Sequence, residues 1–279
     1  MGAVCDRATA GAVCEPPFPA LGGGAEAELA CGVDSARAMV FQARRDAAAT
    51  PRSAAHASRT QVGKLGRRYQ EWLGAPCLAS EPLRMFDNAF MEAASKTPWW
   101  TVPLLWLPLA LYSLWSALVQ HATPPGAAAA HAAAGLVAWA LVEYALHRFV
   151  FHAKPSSYWG ITLHFSFHGC HHKHPSDRLR LVFPPLFAAP LVAGFRAAIA
   201  AALAGEPGLA AAFFAGMLSG YVAYDCMHYF SHHAASPPRW MARSRKAHLE
   251  HHFVDSTRGF GVSGDLFDRV FGTLPRRGA

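Results

Sequence analysis

Four long apolar stretches dominate this chain and limit the folds that are open to it. They cover residues 98–119, 126–146, 181–203 and 208–227. Each approaches the roughly 20 residues that a helix needs to cross the hydrocarbon core of a bilayer. Backbone groups in hydrocarbon must be hydrogen-bonded within the protein, so the stretches predict membrane-spanning helices. The composition agrees with this, since 52% of the residues are hydrophobic and only 15% are charged.

Lysine and arginine are distributed unevenly around these stretches. Of the 25 basic residues, 11 precede Thr97, five lie between His147 and Arg180, and eight follow Ala234, whereas the turns at residues 122–125 and 205–208 have none. The positive-inside rule then predicts that both termini and the central loop face the cytosol. Because the basic residues flank apolar segments, the net charge of +7 favours a membrane surface and not nucleic acid as the partner.

The beginning of the chain has a different composition from the rest. Residues 1–64 are rich in alanine, glycine and serine and show no apolar periodicity, so we expect a low-complexity, disordered segment. Residues 65–279 are expected to form one membrane-embedded domain. The six cysteines show no Cys-x2-Cys pairing, which favours reduced thiols.

Histidines gather at the ends of the apolar stretches. Thirteen of the 16 lie between His147 and His252, and 11 of these form four groups, His147-x4-His152, His168-x2-His171-His172, His228-x3-His232-His233 and His248-x2-His251-His252. Residues at i, i+3 and i+4 share a face of an α-helix, so three groups can aim their imidazoles at one point. His147 and His152 are five apart, so we expect the helix to end or kink there, or the pair to divide between two metals. Ten or more imidazoles exceed the needs of one tetrahedral ion and indicate two neighbouring metal ions.

These patterns together predict a fold class and a place for chemistry. We expect an all-α integral membrane protein in which four transmembrane helices carry a cytosolic, histidine-rich helical cap that holds a dimetal site. Two helical hairpins would each lead into two of the histidine groups. Such a cap would act on a molecule that resides in the bilayer.

The segments around the histidines carry a family resemblance. They read HFSFHGCHHKHPSD at residues 164–177, RLVFPP at 180–185, GYVAYDCMHYFSHH at 220–233, HLEHHF at 248–253, GFGV at 259–262 and FDRVFGT at 267–273. From about Leu65 to Thr273 the chain resembles the fatty acid 2-hydroxylases of the fatty acid hydroxylase/sterol desaturase superfamily. Many animal and fungal members carry a cytochrome b5 domain with a His-Pro-Gly-Gly motif. That motif is absent from these 279 residues, so the chain is most similar to the plant-type form.

The resemblance implies a set of metal ligands. Ten positions match the family's dimetal ligands, namely His147, His152, His168, His171, His172, His228, His232, His248, His251 and His252. Six further residues are expected to support the ligand imidazoles through hydrogen bonds, namely His164, His174, His233, Glu143, Asp225 and Glu250. For the three acids, simple solvation at the membrane surface is the alternative.

The resemblance also implies an activity. It is a dioxygen-dependent 2-hydroxylation of fatty acids, or of the acyl chain of sphingolipids and ceramides, in the endoplasmic reticulum membrane. Iron is expected as the catalytic metal, with zinc as an alternative bound ion, and electrons would pass from NAD(P)H through a separate cytochrome b5 and its reductase. Lys173, Arg178 and Arg180 are candidates for holding the lipid head group.

Three other functions fit parts of the pattern. A sterol or carotenoid hydroxylase of the same superfamily would share the histidines. A histidine-rich membrane metal transporter would need polar ligands near the bilayer midplane, whereas these histidines gather at one side. Haem ligation by paired histidines is the third alternative.

Overall fold

A computed structural model gives the fold and describes residues 62–77, 84–86 and 88–276. Throughout these ranges the regular structure is helical, which confirms the all-α prediction. In chain order the helices are α1 (Tyr69–Leu73), α2 (Ala89–Ala94), α3 (Thr101–Gln120), α4 (Pro125–Phe151), α5 (Tyr158–His164), α6 (Cys170–Lys173), α7 (Pro185–Ala202), α8 (Pro207–His233), α9 (Ala242–Phe253) and α10 (Leu266–Val270). Short 3-10 turns precede α1 and α9, at Gly63–Arg68 and Arg239–Met241. The segment 1–64 that was predicted to be disordered lies outside the described residues, except for residues 62–64.

Helices α3, α4, α7 and α8 are long and apolar enough to cross a membrane. Short turns at residues 121–124 and 203–206 join α3 to α4 and α7 to α8, and both α3 and α4 pack mainly against α8. Helices α4, α7 and α8 each begin with a proline, whose missing N–H needs no partner at the first helical position. Helix α7 begins at Pro185, later than the predicted residue 181, because Pro184 is extended, as residues before a proline tend to be. Helix α8 continues beyond residue 227, so that its last turns carry His228, His232 and His233.

Helix α8 is the central helix of the bundle. In its most apolar 18-residue window 67% of the residues are buried, whereas the corresponding value for α7 is 6%. It packs closely against α4 along a seam that contains Gly135, Gly216 and Gly220. A Cβ atom on Gly216 would lie only 1.9 Å from the carbonyl oxygen of Ala132 on α4. Small residues at four-residue spacing allow such direct backbone contact between membrane helices. The seam fixes the position of α4 relative to α8, and both helices end in histidines.

Two buried cations connect the elements before the bundle to the loop after α6. The Arg180 guanidinium donates to Asp177 at 2.7 Å and to Glu92 at 2.6 Å. The Lys173 ammonium donates to the carbonyl oxygens of Trp72, at 2.8 Å, and Ala75. These contacts hold α1 and α2 beside the histidine-bearing helices.

Candidate metal centre

The structure brings the ten predicted ligand histidines together in two sets of five. Within each set, one ring nitrogen per residue lies within 4.8 Å of all the others. Group A consists of His147, His152, His168, His172 and His251. Group B consists of His171, His228, His232, His248 and His252. Each group could hold one metal ion.

The Nε2 atoms face the interior of each group. In group B, His171 Nε2 lies 3.0 Å from His252 Nε2 and 2.9 Å from His228 Nε2. In group A, the Nε2 atoms of His152 and His251 are 2.8 Å apart. Two nitrogens bound at about 2.1 Å to one ion and at right angles would be roughly 3.0 Å apart, so these spacings fit shared metal coordination.

Group A also contains buried nitrogens that no protein group satisfies. The Nε2 atoms of His147, His168 and His172 are buried and have no hydrogen-bond partner among the described residues. A buried polar atom without a partner costs free energy, which a bound ion would offset. The donor set is therefore suited to a metal ion in each group, and imidazole nitrogen suits both iron and zinc.

A local widening of α4 explains how His147 and His152 reach the same group. The last six residues of this helix, Leu146–Phe151, form a π-helical turn, and the His152 amide donates to the His147 carbonyl at 3.1 Å. In a π turn the hydrogen bond spans five residues, so residues i and i+5 lie on one face. Helix α4 ends at Phe151 with this π turn, in line with the prediction that the helix ends or kinks at the pair, and His147 and His152 lie in the same histidine group. A second π turn, Phe165–Gly169, carries His168.

Neighbouring histidines in the chain point to different groups. His171 and His172 are adjacent on α6, yet one belongs to group B and the other to group A; His251 and His252 on α9 divide in the same way. Successive residues on an α-helix are about 100° apart, so each pair faces two directions. The rings of His172 and His252 stack with centroids 4.1 Å apart, so the groups adjoin.

Burial keeps the ligand histidines in the neutral form that binds metals. Burial, with nearby imidazoles as a further cause, holds the pKa of His168, His172 and His252 well below the usual 6.5. Burial also lowers the pKa of His251 to about 4. Protons therefore compete little with a metal ion for these side chains at pH 7.

Two group A histidines are supported by backbone carbonyls of one loop. The Nδ1–H of His147 donates to the Phe260 carbonyl at 2.6 Å, and the Nδ1–H of His251 donates to the Arg258 carbonyl at 2.7 Å. Since a carbonyl can only accept, both rings must be protonated at Nδ1, which leaves the Nε2 lone pair for a metal. Nothing in the sequence had marked this loop as a support for the imidazoles.

The acids that were predicted to support the imidazoles contact other groups instead. Glu143 accepts hydrogen bonds from the amides of Val262 and Ser263, and so holds the same loop instead of a histidine. Asp225 is buried on α8, three residues before His228, and its carboxylate lies beside the Tyr221 hydroxyl and the Phe183 backbone. Glu250 lies on α9 and forms a long, 3.8 Å ion pair with Lys246.

The three histidines that were left outside the ligand set lie outside both groups. The His164 Nδ1 is 2.6 Å from the Tyr69 hydroxyl. The His233 ring lies 4.9 Å from the Tyr229 ring. His174 is buried just after α6.

A cavity of about 820 Å³ adjoins the two groups. Its lining includes His152 and His172 of group A and His252 of group B, together with Leu73, Phe149, Phe151, Phe253 and Val254. Arg148 and Lys154 are its lysine and arginine residues, and none of the described lining residues is acidic. A cavity of this volume, with apolar side chains and several polar groups in its wall, is large enough for a small-molecule site.

The three residues that were predicted to hold the lipid head group do not line this cavity. Lys173 and Arg180 are buried and bonded to backbone carbonyls and carboxylates, respectively, so they serve the fold. Arg178 is exposed and does not line the cavity. Arg148 and Lys154 take their place as candidates, because they line the cavity beside the histidines.

Comparison with known proteins agrees with the fold and the histidine sets. The family model described as fatty acid hydroxylase matches residues 132–273, which include every residue of both groups. Together with the relatives described next, this match shows that the chain is an enzyme of the fatty acid hydroxylase family.

The relatives cover most of the described chain. The dihydroceramide fatty acyl 2-hydroxylase FAH1 of Arabidopsis thaliana is 45% identical over 216 residues, which are 77% of this chain and 90% of that protein. The fatty acid 2-hydroxylase of Rattus norvegicus is 40% identical over 235 residues, covering 77% of this chain and 62% of that protein. A solved structure described as full-length scs7p, with only the hydroxylase domain visible, is 36% identical with a TM-score of 0.69. It is matched over 79% of this chain and 80% of its own.

Proposed function

We propose that this chain hydroxylates carbon 2 of a fatty acyl chain, either in a free fatty acid or in a sphingolipid or ceramide. The observation that carries the proposal is the pair of five-histidine groups beside a cavity that has both apolar and polar side chains in its wall. Relatives at 40–45% identity are named for 2-hydroxylation of fatty acids or of the acyl chain of dihydroceramide, which supports the same position and substrate class here.

The ten histidines would hold two metal ions, with iron as the catalytic metal. Bound iron would supply, with dioxygen, the oxidation of an unactivated C–H bond, which side chains alone cannot perform. Zinc could occupy the same nitrogens in purified protein, because imidazole binds both metals. The neutral, buried imidazoles would bind the ions with little competition from protons.

The cavity would orient the substrate for this chemistry. Its apolar side chains, such as Phe149 and Phe253, would cover the acyl chain and exclude water. Arg148 has one guanidinium N–H on the Tyr144 hydroxyl at 2.7 Å, which fixes the arginine at the cavity wall. Its remaining N–H groups, and the Lys154 ammonium, would hold the polar carbonyl end of the substrate. Carbon 2, adjacent to that carbonyl, would then lie toward the histidines.

Electron supply and location complete the proposal. Because the chain resembles the plant-type fatty acid 2-hydroxylases, we infer that electrons come from NAD(P)H through a separate cytochrome b5 and its reductase. We place the chain in the endoplasmic reticulum membrane with both termini and the histidines in the cytosol. The distribution of lysine and arginine around the four apolar helices supports this orientation.

Lipid mass spectrometry tests the proposed reaction directly. The chain would be produced in a yeast strain that lacks its own 2-hydroxylase, with His168→Ala as a control at equal protein level. We expect 2-hydroxylated sphingolipids with the unchanged chain and none with the variant. If a stable, metal-loaded chain supplied with cytochrome b5 makes hydroxylated sterol or carotenoid and no 2-hydroxy acid, the proposal is wrong.

A further inference from the structure

The loop after α9 reaches into group A through its backbone. We call residues 258–263 the supporting loop. Its carbonyls at Arg258 and Phe260 accept the Nδ1–H groups of His251 and His147, at 2.7 and 2.6 Å. A backbone carbonyl can orient an imidazole only if the backbone itself is held in place. What holds the supporting loop therefore determines how two group A ligands are presented.

Two buried carboxylates hold this loop. Asp268 accepts the amide of Phe260 on Oδ1 at 3.0 Å and the amide of Gly261 on Oδ2 at 2.7 Å. Glu143 accepts the amides of Val262 and Ser263 on one oxygen, at 2.6 and 2.8 Å, and the Ser263 hydroxyl on the other. Four consecutive backbone N–H groups are thus bonded to two side chains. Charge-assisted hydrogen bonds of this kind are stronger than those between neutral groups.

Asp268 is itself fixed from several directions. It is 1% exposed and accepts the Thr273 hydroxyl at 2.6 Å, while its carbonyl accepts the Thr273 amide at 2.8 Å. The Tyr144 hydroxyl on α4 lies 2.9 Å from the Thr273 hydroxyl. A Cβ on Gly261 would be 2.0 Å from the Gly264 carbonyl oxygen and 3.0 Å from the Asp268 carboxylate, so the loop fits closely around this acid.

Four of the five histidines of group B lack such support within the part of the chain that the structure describes. The Nδ1 atoms of four of its members are buried without a hydrogen-bond partner among the described residues; these are His171, His228, His248 and His252. A defect in the supporting loop should therefore affect group A and leave group B unchanged.

We propose that Asp268, assisted by Glu143, is a positioning residue for group A. Through the supporting loop it sets the ring orientation and the proton position of His147 and His251. In this way it sets the metal affinity of group A. The proposal rests on the proposed function only in requiring that the groups bind metal. Hydrogen bonds to the outer nitrogen of a metal-bound histidine typically change metal affinity by about 10–100-fold when they are lost.

The test is Asp268→Asn in the full-length chain, purified in detergent and loaded with Zn²⁺ alone. The asparagine would place an NH2 group against one of two backbone N–H donors, which removes one hydrogen bond and the charge. Metal per chain is measured after equilibration with a graded chelator. We expect one of two ions to bind about 10–100-fold more weakly in the variant. Asp265→Asn is the matched control, because Asp265 lies three residues earlier and pairs only with arginines on the outside.

Combination with ligand variants assigns the weakened ion to a group. In a His228→Ala background only group A remains, and Asp268→Asn should weaken that remaining ion by the same factor. In a His168→Ala background only group B remains, and Asp268→Asn should change nothing. If the weakening appears in the His168→Ala background, or in neither background, the proposal is overturned.

A milder variant decides the question if Asp268→Asn does not fold. Ser263→Ala removes one hydrogen bond to Glu143 at a half-buried position and retains the backbone contacts. We expect a smaller weakening, again confined to the ion that survives in the His228→Ala background. Equal retention of both ions in Ser263→Ala and in the unchanged chain would then overturn the proposal. If the unchanged chain binds no metal, the metal site of the proposed function has failed instead.

Discussion

The contact between Gly216 and Ala132 provides a sharp test of how the bundle positions the histidines. An added methyl group on Gly216 would lie 1.9, 2.6 and 2.8 Å from the O, C and Cα atoms of Ala132, whereas ordinary contact begins at 3.4 Å. The two backbones must therefore separate locally by about 1.5 Å, since backbone atoms cannot rotate away as a side chain can. We expect Gly216→Ala to destabilise the bundle.

The size of the effect follows from interior packing. Adding a methylene to a filled interior costs about 1–3 kcal/mol. For a protein of this size each kcal/mol corresponds to about 2–4 °C, so the unfolding temperature in detergent should fall by roughly 2–12 °C. Metal should also be lost faster to a chelator, because α8 carries His228 and α4 carries His147.

Gly194→Ala is the matched control for this experiment. Gly194 lies on α7, another apolar helix, and an added Cβ would meet no atom within 4 Å. Alanine favours a helix over glycine, so this variant should lose no stability. Equal unfolding temperatures for Gly216→Ala and Gly194→Ala would refute the argument that direct backbone contact sets the position of α4 against α8.

Three further predictions concern the site and its surroundings. His168→Ala and His228→Ala should each reduce the metal content from two ions per chain to one, measured by mass spectrometry of the purified chain; loss of both ions in each variant would contradict two separate groups. Arg148→Met should raise KM about tenfold or more with a smaller change in kcat, in line with the loss of a charged hydrogen bond, whereas Arg178→Met should have no effect. Burial alone would raise the pKa of Glu92, but the hydrogen bonds it accepts lower it to about 2. Its stabilising contribution is complete above pH 4.5 and is lost as pH falls through about 2. Acid unfolding of Glu92→Gln should therefore be less pH-dependent in this window.

The helices and the clustering of the histidines could be predicted because they depend on local composition and spacing, whereas the set of ten ligands was implied by the family resemblance. Twenty-residue apolar stretches leave few options other than a helix, and histidines at helical spacing at the ends of such stretches indicate a shared site. The predicted limits differ from the observed helices mainly at the ends. Pro184 delays the start of α7, and α8 continues into the polar histidine segment because packing on α4 and α9 stabilises its last turns.

The division of the histidines into two groups could not be predicted from spacing. The division depends on how α4, α6, α8 and α9 cross, and on the π turns in the chain. Neither feature can be recognised in the sequence. The spacing of His147 and His152 excludes a shared ion on a regular helix, and only the π turn allows it. Adjacent residues such as His251 and His252 serve different groups for reasons that appear only in three dimensions.

The support of the group A imidazoles was missed for a different reason. A backbone carbonyl is present at every residue, so nothing in the sequence marks Phe260 or Arg258 as an acceptor. Asp268 was quoted within the FDRVFGT segment but was given no role. The signal that was available is the pair of glycines on either side of Phe260, which indicates a backbone held in close contact. Glu143 was expected to bind an imidazole and instead binds the loop that does so.

The π turn at Leu146–Phe151 bears on how metal sites are recognised and designed in membrane helices. A π turn amounts to one extra residue inserted into an α-helix without breaking it. Searches that accept only three- or four-residue ligand spacing would therefore overlook pairs such as His147 and His152. For a designer, the insertion of a single residue near the end of a helix is a means to rotate every later side chain by about 100° while keeping the helix continuous. The number of residues in a helix would then affect the coordination geometry as much as the choice of ligands does.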